Sequence, residues 1–211
     1  WWQCKVKSNT LNNNLSIAYP FGGSYIMRSK DDYVFIDCGP VGLKDRGGHG
    51  HNDCLSFEAV LCGVNIISDP GCYTYTSDFK LRNHFRSTAS HNTPMISGQE
   101  INRFFDDKNI WFLRGDAKPQ LIEWSDFDRY VLFKGTHTGY EYLEHQVQPI
   151  RTIILDKVNH TLIVHDVFSS LVENSVVIPL HISENVLVEF INKKKVRLLK
   201  GTHAFTVEWE D

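Results

Sequence analysis

Short runs in which apolar residues stand together or alternate with polar ones recur along the chain, each bounded by Gly, Asp or Pro. Residues 25–27, 33–36 and 64–67 open the series, and 110–113, 120–124, 130–134 and 142–147 continue it. Residues 152–155, 161–164, 176–180, 186–190 and 204–209 fill the last third. Alternation of period two turns one face of a run to a core and the other to water, so each run predicts a β-strand. Asp32 and the 156–159 segment supply turn chemistry between them. The one helical stretch is 78–87, where Phe79, Arg82 and Arg86 recur at helix-like intervals. Many short strands with regular turns predict an all-β fold, a large antiparallel β-sandwich of two curved sheets with little helix. The expected unit is a single domain over 1–211, with residues 1–19 as a leader segment.

Composition supports a packed domain. With 211 residues, 42% of them hydrophobic and 12% aromatic, roughly 70% of the unfolded surface can be buried, so no disulfide or metal is needed to hold a core. Lys and Arg total 22 against 25 Asp and Glu, a net charge of −3. That balance lacks the basic excess with which nucleic-acid binders neutralise phosphates. The basic run 193–195 reads as a solvated hairpin tip. No stretch approaches the ~18 apolar residues of a membrane helix. The five cysteines are an odd number without a CxxC pair, which does not resemble a disulfide framework. The chain begins at Trp1 rather than Met, which predicts a fragment or mature product of something longer. Trp1 and Trp2 would then pack against the missing part.

Candidate chemistry concentrates in residues 37–105, which hold eight of the fourteen glycines, four of the five cysteines and four histidines. Three polar pieces stand out there. In Gly47-Gly48-His49-Gly50-His51-Asn52-Asp53, two histidines separated by glycine project the same way if the chain is extended. Ser68-Asp69-Pro70-Gly71 places a carboxylate at the end of a buried strand. Ser90-His91-Asn92-Thr93 follows Arg82, His84 and Arg86. Two imidazoles and a carboxylate from separated segments suffice for a metal site, although each piece taken singly also suits a hydrogen-bonded loop. The HxHxDH pattern of metallo-β-lactamase-type hydrolases fits poorly, because its last histidine position holds Cys54. A cupin motif fails as well, since the nearest Glu, Glu58, comes seven residues after His51.

The blocks GGHGHNDCLSFEAVLCG (47–63), SDPGCYTY (68–75), LRNHFRSTASHNTPMISG (81–98) and, more weakly, RTIILDKVNHTLIVHDVF (151–168) resemble the heparinase II/III-like family of polysaccharide lyases and related alginate lyases. The resemblance covers about residues 20–185. It implies that His51, Asp69 and His91 are zinc ligands of a metal that organises loops, and zinc suits two imidazoles better than calcium does. It implies further that His49 is the catalytic histidine of the sandwich and that Tyr73 and Tyr75 line the cleft. Charge and position suggest that Arg82 and Arg86 meet anionic sugar groups, or alternatively anchor loops.

The implied activity is β-elimination in an anionic, uronic-acid-containing polysaccharide or oligosaccharide, with an N-terminal α/α-toroid supplying the rest of the catalytic groups. No helical repeats precede residue 20, so this chain is expected to fold and bind metal with little turnover of its own. The competing expectation is a noncatalytic, zinc-containing carbohydrate-binding or structural sandwich. The compartment stays open, with the periplasm favoured. His137, His145, His160, His165, His181 and His203 read as surface or core histidines, and Trp111, Trp124 and Trp209 as core or edge aromatics.

Overall fold

The computed structural model describes residues 15–170 and 172–210. Trp1, Trp2 and most of the expected leader lie outside them. Five antiparallel strands form one sheet in chain order: β1 (Ile17–Tyr19), β2 (Ser24–Arg28), β3 (Tyr33–Asp37), β4 (Phe57–Leu61) and β5 (Val64–Ile67). A second sheet has the order β10-β9-β8-β7, from β7 (Pro119–Asp126), β8 (Tyr130–His137), β9 (Gln148–Asp156) and β10 (Thr161–Ser169). Between them run α1 (Phe79–Phe85), a 3-10 turn (Thr88–Ser90) and β6 (Met95–Ile96), which pairs with β11 (Val176–Val177). A three-stranded meander, β12 (Leu187–Asn192), β13 (Lys195–Lys200) and β14 (His203–Glu208), follows, and residues 193–194 make the expected basic hairpin tip.

The all-β sandwich predicted from alternation is the fold found. Tyr25 and Met27 of β2 and Val34 and Ile36 of β3 turn inward, facing Val131 and Phe133 of β8 and Ile153 and Leu155 of β9. The Tyr25 ring stands 5.0 Å from Phe133 and 5.6 Å from Trp124, so the two sheets meet through aromatics. Each such side chain, fully buried, contributes about 1.5–3 kcal/mol. Helix α1 starts where Asp78 accepts the backbone N–H groups of Lys80 and Leu81 at 2.9 and 3.0 Å.

Two expected strands are turns instead. At 110–113, Asn109 Oδ1 accepts the N–H groups of Trp111 and Phe112 at 3.2 and 3.0 Å, a local alternative to a strand ladder. At 142–147, only the isolated Tyr140–Val147 bridge forms, and Tyr142 donates its hydroxyl to Glu100 O at 2.7 Å.

One core histidine gives the fold a pH dependence. His137 is buried, its Nδ1 accepts the Gly139 N–H at 3.0 Å, and its Nε2 has no hydrogen-bond partner among the described residues. Burial first, then the Arg151 charge, push its pKa down to about 3. A histidine ordinarily titrates near 6.5, so the unfolded chain binds the proton that the folded one refuses. The resulting stability is full above pH ~6.5 and is lost as pH falls toward 3, at up to about 1.4 kcal/mol per pH unit. Urea unfolding between pH 7 and pH 4 should show a shallower acid-side slope in His137→Gln than in the parent. Identical slopes would remove His137 from the explanation.

Candidate functional site

The glycine-rich segment after β3 is a turn, not an extended strand. Gly47 adopts φ +61°, and Gly50 donates to Gly47 O at 3.1 Å. A Cβ on Gly50 would come within 2.2 Å of Val41 O, so only glycine fits between the two histidines. The turn sends them different ways: His49 is exposed, while His51 is half-buried with its ring 5.2 Å from that of His91. Asn52 anchors the segment from the core, donating Nδ2 to Glu100 Oε2 and Asn102 O at 2.8 and 3.0 Å.

His51, Asp53 and His91 each offer one ligand atom within 4.8 Å of the other two. Asp69 reaches the cluster from the other side of His91, where Nδ1 donates to Asp69 Oδ2 at 2.5 Å. That bond leaves the second ring nitrogen of His91, Nε2, with a lone pair that is fully buried and has no partner among the described residues. Burial raises the Asp69 pKa, but the hydrogen bond and charge of His91 outweigh it and hold the carboxyl below the ordinary range. Burial first, then His91 and Arg82, push the His51 pKa down to about 4, so the His51 ring is available as a neutral donor. Asp37, which stands beside Asp53, is held well above the usual carboxylate range by burial and by the Asp53 charge. An uncompensated lone pair, a second imidazole and clustered carboxylates fit a divalent cation. One feature competes with it: Arg82 Nη1 donates to His51 Nε2 at 2.7 Å, so a metal at that nitrogen requires the guanidinium to release it.

Of the ligands that the resemblance implies, the structure groups His51 and His91, sets Asp69 against His91 Nδ1, and adds Asp53, which the sequence reading did not assign. The signal was available, because Asp53 follows His51 by two residues. Arg82 and Arg86, proposed from sequence to meet sugar anions or anchor loops, are both buried. Arg86 donates Nε to Asn83 Oδ1 at 2.9 Å and Nη2 to the Asn109 and Phe112 carbonyls, which makes it a tether for the loop at 109–112. Arg82 lies under the Tyr75 ring at 4.9 Å, linking the buried cluster to the surface above.

That surface is aromatic. His49 packs edge-on against Tyr75 and Trp111, both at 5.6 Å, and Tyr75 and Trp111 stack at 6.0 Å with 13° between their planes. Tyr73 stacks on Phe85 at 5.2 Å and is 74% exposed. Trp111, read from sequence as a core or edge aromatic, is instead partner to the predicted catalytic histidine. A depression of about 490 Å³ lies beside this loop, with Arg46, Arg103 and Arg114 on its walls and Asp45 and Asp116 among them.

These features define a β-sandwich with a candidate metal centre buried beneath an exposed histidine–aromatic surface. The chain belongs to the heparinase II/III-like C-terminal family, which it matches over residues 12–211. Among solved structures, the heparan sulfate lyase HepC of Pedobacter heparinus superposes with a TM-score of 0.70 at 21% identity, over 88% of this chain and 27% of that one. A heparinase III structure gives a TM-score of 0.68 at 18% identity, over 88% of this chain and 28% of that one. At these identities the likeness is one of fold, and the chain spans about a quarter of each protein's length. No curated protein sequence matches it. No helix among the described residues is long and apolar enough to cross a membrane.

Proposed function

We propose that this chain is the β-sandwich part of a polysaccharide lyase that cleaves uronic-acid-containing polysaccharide by β-elimination. The observation that carries the reading is His49, exposed between Tyr75 and Trp111 and joined through Arg82 to the buried cluster. The proton at C5 of a uronic acid is poorly acidic until the neighbouring carboxylate's charge is offset. A base with a pKa near the working pH then takes it, the C4–O bond breaks as an acid donates a proton to the leaving glycosidic oxygen, and a C4=C5 double bond forms without water. His49 is the sandwich's candidate for that proton transfer. Tyr73, Tyr75 and Trp111 present ring faces on which sugars pack. An upstream α/α-toroid completes the cleft, so the isolated chain turns over little substrate.

His51, His91 and Asp53 are the groups that would hold zinc, with Asp69 orienting the His91 ring through its Nδ1. The chemistry zinc would supply there is structural, cross-linking the loops that carry these residues. Arg82 and Arg86 then act chiefly as supports beneath the aromatic surface.

The test is lyase assay of the chain alone and of a longer protein that includes the upstream region, read by absorbance of the unsaturated product. Activity in the longer protein and little in the chain alone is the expected result. Robust turnover by the chain alone overturns the division of labour. Binding of anionic polysaccharide by the longer protein with no turnover favours a noncatalytic sandwich instead. Elemental analysis in parallel should find zinc that falls by one equivalent per chain in His91→Ala.

A further inference from the structure

Three hairpin turns from the two main sheets converge away from the His51 cluster. Asp32 lies in the β2–β3 turn, Cys62 in the β4–β5 turn and His160 in the β9–β10 turn. One ligand atom from each lies within 4.8 Å of the other two. The Asp32 side chain is completely buried. It accepts Ser29 Oγ–H at 2.6 Å and the Cys62 backbone N–H at 2.8 Å, and His160 Nδ1 stands 2.8 Å from its Oδ2. Ser29 and the Cys62 amide are neutral, so the sealed carboxylate meets dipoles and one imidazole. A buried carboxylate is costly unless it is paired.

The turn residues are also the wrong ones for their backbone. Cys62 and Gly63 form a two-residue hairpin loop with φ of +51° and +76°, a conformation in which Asn-Gly is the easy choice. His160 closes its turn at φ +51°. A side chain at such a position costs about 1–2 kcal/mol relative to the right-handed form. Two strained positions thus carry a thiol and an imidazole, and both meet the same buried carboxylate.

We propose that Asp32, Cys62 and His160 form a second metal site that takes a zinc-class divalent cation. Cys62 Sγ binds as thiolate and releases its proton to solvent. His160 binds through Nδ1, and the proton there passes to Nε2 of the same ring. An Asp32 oxygen is the third ligand, and water fills the fourth position. Thiolate and carboxylate together balance the dication, so the site becomes neutral on loading. Thiolate and imidazole select zinc-like over magnesium- or calcium-like ions. Because Asp32 and Cys62 belong to the five-stranded sheet and His160 to the four-stranded one, the ion staples the two sheets. The site is independent of the lyase reading.

The experiment is titration of the metal-free chain with cobalt(II), followed by its near-ultraviolet thiolate-to-metal charge-transfer band. None of the residues that would hold the first metal is a cysteine, so the band separates the two sites, and its loss in Cys62→Ser assigns it to the second. The band is expected in the parent, in His91→Ala and in Cys72→Ser, and it should vanish with one equivalent of cobalt in Cys62→Ser. His160→Ala should weaken it strongly. A parent chain that binds cobalt without a thiolate band overturns the proposal with no variant needed. A band that survives Cys62→Ser overturns it too.

Discussion

Arg151→Met is expected to lower folding stability by about 3–5 kcal/mol, the cost of breaking one partner out of a buried ion pair. Arg151 sits on the inward face of β9, where strand alternation calls for an apolar residue, and is fully buried. Its Nε and Nη2 donate to the two carboxylate oxygens of Asp166 on β10, both at 2.8 Å. Its Nη1 donates to Leu55 O at 2.9 Å and Asn92 O at 2.5 Å. Those carbonyls flank the candidate metal residues: Leu55 lies two residues after Asp53, and Asn92 follows His91. Leu55 holds φ +66°, a strained conformation fixed by its N–H to Asp37 O at 2.7 Å and by the Arg151 bond. Methionine keeps the volume but strands Asp166 and two carbonyls. Pairing it with Asp166→Leu should recover the ion-pair share only, because the carbonyls stay unpaired. Urea unfolding at fixed pH measures both, and zinc content should fall along with stability. A single variant within about 0.5 kcal/mol of the parent, the typical surface-substitution range, would mean that the loops do not depend on this guanidinium.

The second large effect is catalytic. In the longer protein that contains this chain, His49→Ala is expected to reduce kcat by about 10²–10⁴, the usual loss when a positioned acid or base is removed. Its zinc content and thermal midpoint should match the parent's, because His49 is exposed and its ring contacts are to Tyr75 and Trp111. Trp111→Ala should act differently and raise KM more than it lowers kcat, as loss of a sugar-packing face requires. If His49→Ala retains parental kcat, the proton transfer belongs to residues outside the sandwich.

How legible the protein was depends on the range of the forces involved. Alternation alone placed the strands at 25–27, 33–36, 64–67, 120–124, 130–134 and 152–155, because the period of two is a local property of the pleat. The helix-like spacing of Phe79, Arg82 and Arg86 made α1 readable for the same reason, and the structure adds the Asp78 cap that starts it. The run at 110–113 misled because Asn109 turns the chain back on itself, which a hydrophobic pattern does not encode.

Motif resemblance brought His51, Asp69 and His91 to one site and His49 to its surface. It could not show that Gly50 reverses the direction of the two histidines, since that rests on the approach of Val41 O. Nor could it show that Arg82 and Arg86 face inward, or that Trp111 returns over His49. Arg151 belonged to the weakest matching block, and its role needed partners at residues 55, 92 and 166 to become visible.

The sequence by itself determined the all-β class, the positions of most strands and the family, and it singled out the histidines of the candidate site. These follow from periodicity and from residue types clustered along the chain. The tertiary structure alone decided which carboxylates stand near which imidazoles, which arginines are buried, and that Asp32, Cys62 and His160 meet. Those contacts join residues as far apart as 32 and 160 across two sheets, and separation of that kind is set by packing rather than by any pattern in the chain.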